Sequence, residues 1–237
     1  MRKSSSKWFA LLLLAVCVAY LRILLASASP GNYDQRSYEI VAGIMRRGGN
    51  VYAETTRYNY APVWMHCLLA LSWAAEWLRF DLGTTIRTFL SLVDIGNAFL
   101  IGAIGQRFGY RRPWWGTAAY LCQPLIFLLM GVHGQFDTLA LTPVLCALWL
   151  LGAKNRSSLL WIWLLGTLAI LIKQLTVIEV WALYLTATTR PKAIVLGALS
   201  GLGFLASFLP YWADGHTNII HAVWLYHGWE LPYGFAF

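Results

Sequence analysis

Charged residues are scarce in this chain. Asp, Glu, Lys and Arg make up 12% of its 237 residues, and only 10 residues are acidic. A soluble domain is about a quarter charged and about half apolar, whereas 59% of this chain is hydrophobic and its mean hydropathy is +0.57. One soluble core would not bury so much apolar surface. The composition therefore excludes a soluble enzyme and a disordered chain, and it indicates a membrane protein.

Cysteine is also scarce, and none of the four cysteines is placed for metal or disulfide chemistry. They lie in apolar runs without a C-x-x-C spacing, which argues against a zinc site and against a disulfide framework. The sequence also lacks an internal repeat and a D-x-D motif. The cysteines are Cys17, Cys67, Cys122 and Cys146.

Positive charge, in contrast, is plentiful and unevenly distributed. The net charge is +8, and four short polar segments hold ten of the 18 basic residues and none of the 10 acidic ones. The positive-inside rule places such segments in the cytoplasm. We therefore interpret this charge as a set of membrane anchors, and expect membrane lipids rather than nucleic acid as partners. The segments are Arg2, Lys3 and Lys7; Arg107, Arg111 and Arg112; Lys154 and Arg156; and Arg190 and Lys192.

These anchors predict an all-α, polytopic membrane helix bundle with about seven spans, forming one module over 1–237. A spanning helix needs about 20 apolar residues. The amino terminus is expected inside, with 29–85 as a first external loop and 212–237 as an external tail. One span pair is short, and we expect it to turn near Lys173 and Gln174 beside a water-filled groove. The predicted spans are 8–28, 86–106, 113–131, 136–152, the pair within 157–187, and 193–211.

One apolar segment, 62–78, does not fit this count. If it crossed the membrane, every later basic segment would lie outside. We favour a helix lying in the outer interface, where aromatic rings and long cations are typical, over a crossing helix. The residues that suit an interface are Trp64, Trp73, Glu76, Trp77 and Arg79.

The first 28 residues also admit a second interpretation. Arg2, Lys3, an apolar run and Ala26-Ser27-Ala28 are similar to a cleavable secretory signal. Because the run is long for a signal and Arg22 interrupts it late, we favour a retained first span.

The unusual polar residues fall mainly in three external turns of this topology. Ionisable groups at membrane depth are costly unless they pair or line a wet cavity, so they mark a candidate site. Asp34 is either a functional carboxylate or a loop acid that caps a helix. His133 and Asp137 either face one cleft or are turn residues, with Asp137 favoured by a helix dipole. Lys173, in the middle of an apolar run, needs an anion.

Arg87 and Asp94 lie seven residues apart in one predicted helix and therefore share a face. Both an ion-paired structural stripe and a catalytic role fit this spacing.

The order of these elements resembles the GT-C superfamily of membrane glycosyltransferases, which use sugars linked to polyprenyl phosphate. The likeness is greatest to the dolichyl-phosphate-glucose-dependent glucosyltransferases and looser to the bacterial polyprenyl-phosphate mannosyltransferases. Each motif is weak alone, but they occur in the family's order from Met1 to Trp212. The motifs are Gly31-Asn32-Tyr33-Asp34-Gln35-Arg36, Tyr60-Ala61-Pro62-Val63, Arg87 with Asp94, His133-Gly134-Gln135-Phe136-Asp137, Lys173-Gln174-Leu175 and Phe208-Leu209-Pro210-Tyr211.

Two departures from the family pattern matter. Asn32 stands where the strictest alignment places the family's acid, and Asp34 follows two positions later. Family members also continue with further spans beyond the position of Phe237. The resemblance therefore predicts a truncated module, to which a second chain could supply the missing spans.

The resemblance implies an inverting hexosyltransferase that needs neither metal nor cofactor. It would move glucose or mannose from a polyprenyl-phosphate donor to a lipid-linked or cell-envelope acceptor. Asp34 would be the base, and Lys173 with Arg87 would face the phosphate. The residues expected to shape the sugar and acceptor pocket are Tyr38, Glu39, Tyr60, His133, Gln135 and Asp137.

Two other functions stay open at this point. One is a transporter or flippase, against which the missing repeat and the long, asymmetric first loop argue. The other is a non-catalytic subunit or relic of the same family. Short loops favour a multi-pass protein of a prokaryotic plasma membrane, with its active site outside.

Overall fold

The computed structural model describes residues 2–152 and 158–225, and every regular element in these ranges is helical. This confirms the all-α prediction. The helices are α1 (Arg2–Ala28), α2 (Tyr33–Arg46), α3 (Val51–Glu54), α4 (Pro62–Leu78), α5 (Leu82–Arg107), α6 (Trp114–Leu121), α7 (Pro124–Leu128), α8 (Asp137–Leu151), α9 (Ser158–Ile172), α10 (Val177–Ala187), α11 (Arg190–Ala206) and α12 (Trp212–Asn218). The predicted basic segment at Lys154 and Arg156 lies outside the described residues, as does the tail from 226 onward.

Three helical stretches in the described ranges are long and apolar enough to cross a membrane. They are Lys7–Ala28, Leu82–Arg107 and Arg190–Trp224. A fourth is reached if α6 and the stretch Pro124–His133 count as one span bent by 53°. The bend falls before Pro124, because a residue preceding proline is pushed out of the helical region. The remaining apolar helices have 17 residues or fewer, so the count of seven spans stays a prediction.

The membrane-length helices α1 and α5 form the centre of one bundle, and α6 and α8 also pack against α5. Small residues allow the closest of these contacts. A Cβ on Gly102 of α5 would lie 2.3 Å from the Thr117 hydroxyl oxygen of α6, a distance that no side chain could occupy. The α5 helix starts at Leu82, four residues before the predicted span, since Asp81 caps it by accepting the Thr84 backbone N–H at 2.8 Å.

The segment 62–78 forms α4, which begins with Pro62 at its first turn and packs against α2. It is too short to be among the membrane-length helices. The prediction of five interfacial side chains was wrong for Trp64, which is fully buried and stacks on Phe136 with ring centroids 4.4 Å apart. Trp73 and Trp77, on the opposite face, are 56% and 83% exposed. The helix therefore has one aromatic face that is buried and another that is exposed.

The short pair α9 and α10 turns at Lys173, as predicted, with Lys173 itself in extended backbone. The groove between α9, α10 and α11 is not polar, however. Its lining is apolar apart from Gln174 and the Tyr184 hydroxyl, and Val180 and Trp181 belong to that lining. The water-filled groove expected beside this pair stays a prediction.

The first part of the predicted tail continues as helix to Trp224. Its α12 packs against α3, which lies in the long loop between α1 and α5. Two amide side chains fix this contact: Asn50 donates to the Tyr211 carbonyl at 3.1 Å, and Asn218 donates to the Tyr52 carbonyl at 2.7 Å. The tail therefore lies at the same end of the bundle as that loop.

Candidate functional site

The site is built from the start of α2 and the turn before α8, which one asparagine joins. Asn32 caps α2 by accepting the Gln35 backbone N–H at 2.9 Å. Its amide nitrogen also donates to the His133 carbonyl at 2.8 Å. A carboxylate could make the first bond and not the second, because it has no N–H to donate. This double role gives a physical reason for an amide at the position where the family pattern has an acid.

The turn before α8 has an unusual backbone. Residues Leu129–His133 form a π-helical turn, a feature that occurs often at functional sites. Gly134 then adopts a left-handed conformation with φ of 76°. A Cβ there would lie 3.0 Å from the Arg87 side chain, so glycine satisfies both the backbone and the close approach.

Arg87 of α5 joins the turn before α8 to the neighbouring helices. It is 2% exposed, and its guanidinium donates to the carbonyls of Gly83, Ser29 and Val132 at 3.2 to 3.3 Å. The bonds join α5, the end of α1 and the π-helical turn. The structure thus gives Arg87 a bracing role, and its bonds to carbonyls leave it poorly placed to face a phosphate.

Asp34 lies at the surface of the site, beside the residues of this turn. Its Oδ2 accepts a hydrogen bond from the Gln135 side-chain amide at 2.6 Å. The His133 Nδ1 lies 3.8 Å from the same oxygen, which is too far for a hydrogen bond and close enough for an ion pair when the ring is protonated. The side chains of Asp34 and His133 are 31% and 44% exposed. This carboxylate can therefore reach a bound molecule.

A second polar pair lies close enough that its carboxylate, Asp137, and Asp34 both act on the pKa of Tyr38. The Lys173 ammonium donates to Asp137 Oδ1 at 2.6 Å and lies 5.1 Å from the centre of the Phe136 ring. Lys173 is only 8% exposed, whereas the Asp137 side chain is 61% exposed. The buried cation thus has a partner that can rotate into solvent, as its need for an anion predicts.

Aromatic rings pack together beside the Asp34–Gln135 and Lys173–Asp137 pairs. Phe136 stacks on Trp64 and meets Tyr60 edge-on, with centroids 4.7 Å apart. The Tyr38 hydroxyl is buried here and makes no hydrogen bond to any described residue. Burial raises its pKa well above the usual value, and the nearby Tyr60, Asp34 and Asp137 raise it further. Tyr38 is therefore a permanent donor at neutral pH.

Glu39 does not join this cluster. It follows Tyr38 on α2 but lies on another face of the helix, where it lines a groove with Arg46 and Glu76. Each helical residue rotates the side-chain direction by about 100°, so five residues place Glu39 about 140° around α2 from Asp34. Among the described residues, no three His, Cys, Asp or Glu side chains come together in a way that could hold a metal ion.

A second polar network lies inside the bundle, and sequence reasoning missed it. Arg22 of α1 and Asp94 of α5 form an ion pair of 2.6 Å in which both side chains are almost completely buried. Asp94 also accepts the hydroxyls of Tyr120 at 2.7 Å and Thr138 at 3.0 Å. The spacing of Arg87 and Asp94 left open an ion-paired stripe or a catalytic role. Among the described residues Asp94 pairs with Arg22, and the Arg87 side chain donates to carbonyls. Arg22, alone in an apolar run, was the available signal.

Asn97 extends this network along α5 to α8. Its amide donates to the Thr138 carbonyl at 2.8 Å and accepts the Thr142 hydroxyl at 2.9 Å. Thr138 directly follows Asp137, so the buried network ends next to the first group of polar residues. We call that group the outer cluster; its members are Asp34, His133, Gln135, Asp137 and Lys173.

Comparison of the chain with protein-family models, with curated proteins and with solved structures finds no match. The resemblance to the GT-C superfamily therefore depends on the order of its motifs.

Proposed function

We propose that this protein is an integral membrane glycosyltransferase of the GT-C type. It would transfer a hexose from polyprenyl phosphate to a lipid-linked or cell-envelope acceptor on the extracytoplasmic side. The observation that carries the proposal is that a reachable carboxylate, Asp34, and a buried ammonium, Lys173, belong to one cluster packed against aromatic side chains. Sugar transfer from a phosphate needs a base, a cation and an apolar surface for the sugar.

The proposed reaction is one displacement at the anomeric carbon of the sugar. The acceptor hydroxyl oxygen forms a bond to this carbon, and the bond from the carbon to the phosphate oxygen breaks with its electron pair. Asp34 takes the hydroxyl proton on Oδ1, since Oδ2 already accepts from Gln135. Polyprenyl phosphate leaves, and the anomeric configuration is inverted.

Lys173 would stabilise the charge that develops on the leaving phosphate. It reaches the phosphate when Asp137 rotates outward, which its exposure allows. Tyr38 would donate a hydrogen bond to the sugar once a neighbouring side chain moves and exposes its hydroxyl, which is buried and has no described partner. Tyr60, which is only partly buried, would pack against the face of the sugar ring, and the fully buried Phe136 would support Tyr60 from beneath.

The test is transfer of radiolabelled hexose by the purified chain in detergent, from polyprenyl-phosphate glucose and, separately, polyprenyl-phosphate mannose to a membrane lipid extract. We expect Asp34→Asn to lower the rate by about 10²- to 10⁴-fold, the range for a general base. The unfolding midpoint should not change, because the amide can still accept from Gln135. Glu54→Gln, in the same external loop, is the matched control. A wild-type rate in Asp34→Asn would overturn the assignment of the base, and no transfer by the wild-type chain would overturn the proposed activity.

The proposed orientation has a separate test in whole cells. After replacement of the four cysteines, single cysteines at Thr56 and at Tyr110, which are both exposed, would report on the two ends of the bundle. We expect a membrane-impermeant maleimide to label Thr56→Cys and to label Tyr110→Cys only after lysis. The reverse pattern would contradict an external site.

A further inference from the structure

An open groove of about 350 Å³ lies beside the proposed site, on the other face of α2. It runs between α2, the end of α4 and the start of α5. Its lining is half polar, and the polar residues are charged apart from one serine. The charged residues are Glu39, Arg46, Glu76 and Arg79.

Two of these charged side chains pair with each other, and the other two have no charged partner among the described residues. Arg46 and Glu76 form an ion pair across the groove. Glu39 and Arg79 line the same groove, and neither side chain makes an ion pair or hydrogen bond with any residue in the described ranges. The groove therefore offers one free carboxylate and one free guanidinium to a ligand.

The backbone holds Arg79 at the end of α4 in a left-handed conformation. Its φ is 58°, and it is the only residue other than glycine with a positive φ in the described part of the chain. A left-handed residue is common at the end of a helix, but glycine is the usual one. A glycine here would remove the guanidinium from the groove.

The groove lies beside the start of a membrane-length helix. It ends at Leu82, the first residue of α5. Phe80 lines it, and α4, which supplies several of its other lining residues, also carries the exposed rings of Trp73 and Trp77. Such rings are typical of the boundary between lipid tails and headgroups. A ligand in this groove would therefore have its apolar part beside it in the membrane.

We propose that this groove binds the headgroup of a phospholipid that carries a phosphate and a primary amine, as phosphatidylethanolamine does. Arg79 would bind the phosphate with two N–H donors, a geometry that guanidinium groups favour. Glu39 would accept N–H hydrogen bonds from the ammonium. A quaternary ammonium has no N–H to donate, and phosphatidylglycerol has no cation, so both lipids should bind more weakly. The binding does not depend on sugar transfer.

The test is native mass spectrometry of the full chain in detergent, with phosphatidylethanolamine, phosphatidylcholine and phosphatidylglycerol of identical acyl chains. We expect phosphatidylethanolamine to bind roughly 5- to 10-fold more tightly than either of the others, the effect of one charge-assisted hydrogen bond. Glu39→Gln and Arg79→Gln should each remove this preference. The controls Glu54→Gln and Arg47→Gln alter a comparable ion pair outside the groove and should leave the preference intact.

Equal binding of the three lipids would overturn the proposal, as would an equal loss of preference in the control variants. If a groove variant fails to fold, the comparison of lipids on the wild-type chain still decides. Free O-phosphoethanolamine, added at millimolar concentration, distinguishes the source of the headgroup. Little displacement is expected because the acyl chains contribute to binding, whereas complete displacement would overturn a lipid as the ligand.

Discussion

The two polar networks of this protein use the same kinds of side chain for different ends. In the buried network, Arg22 and Asp94 are closed off from solvent, and Asp94 accepts three hydrogen bonds. In the outer cluster, Asp34 and Asp137 each accept one side-chain bond and keep an exposed face. The Nε and Nη2 atoms of Arg22 are buried without a hydrogen-bond partner among the described residues, so the attraction to Asp94 must offset the cost of desolvation. A charge buried in this way cannot contact a ligand, whereas a reachable one can. Exposure to solvent is therefore the property that distinguishes the outer cluster from the buried network.

The strongest test of this comparison is the removal of one partner of the buried pair. Arg22→Met leaves Asp94 charged and unpaired inside the bundle, and we expect it to lower the free energy of unfolding by about 3–5 kcal/mol. Tryptophan fluorescence during heating in detergent would measure the change. The double variant Arg22→Met with Asp94→Asn should recover most of the loss, because the amide is neutral and still accepts from Tyr120 and Thr138. A double variant as unstable as the single one would show that Arg22 acts through packing alone.

A smaller effect is expected at the joint between α2 and the π-helical turn. Asn32→Asp keeps the helix cap and loses the donor to the His133 carbonyl, at a cost of about 1–3 kcal/mol. Amide hydrogen exchange in Leu129–His133 should become faster, which mass spectrometry can measure.

The same position tests the sugar-transfer proposal. Asn32→Asp in the Asp34→Asn background should not restore transfer, because Asn32 points at the turn backbone rather than at the cluster surface. Recovered transfer would place the base at position 32, as the family pattern has it.

Lys173 should affect stability little and chemistry strongly. Lys173→Met leaves Asp137, which is already mostly exposed, to be solvated, so we expect a loss of stability of about 1 kcal/mol or less. Transfer should fall by about 10²-fold or more, as when one donor to a developing oxyanion is lost. Lys192→Met, at an exposed position on α11, is the control and should change neither quantity. A large loss of stability in Lys173→Met would put this residue with the buried network.

The smallest effect is expected at the exposed pair of Arg46 and Glu76. Arg46→Gln should leave the unfolding midpoint within the error of the measurement, because water solvates both partners. A shift as large as that of Arg22→Met would mean that burial does not set the energetic scale of these pairs.

The sequence predicts the helical fold well, because apolar composition and breaks at basic or proline residues are local signals. It also predicts the turn at Lys173 and the contact between the loop after α1 and the turn before α8. It fails where a partner lies far along the chain. Nothing near Asp94 points to Arg22, which is 72 residues away, and only helix packing reveals which neighbour is closer. The prediction that Glu39 lies in the sugar pocket fails for a simpler reason: the rotation of the helix turns Glu39 away from Tyr38.

The pairing of Arg22 with Asp94 also bears on the order of events during synthesis. In a membrane, the first helix would leave the ribosome with an arginine whose partner has not yet been made. At roughly 5–20 residues per second, the intervening 72 residues take about 4–14 s. An unpaired arginine at the centre of a bilayer costs about 2.5–3.5 kcal/mol on insertion scales. Arg22 lies near the end of α1 rather than at its centre, so its cost falls below that range, and it stays unpaired until α5 brings Asp94 beside it.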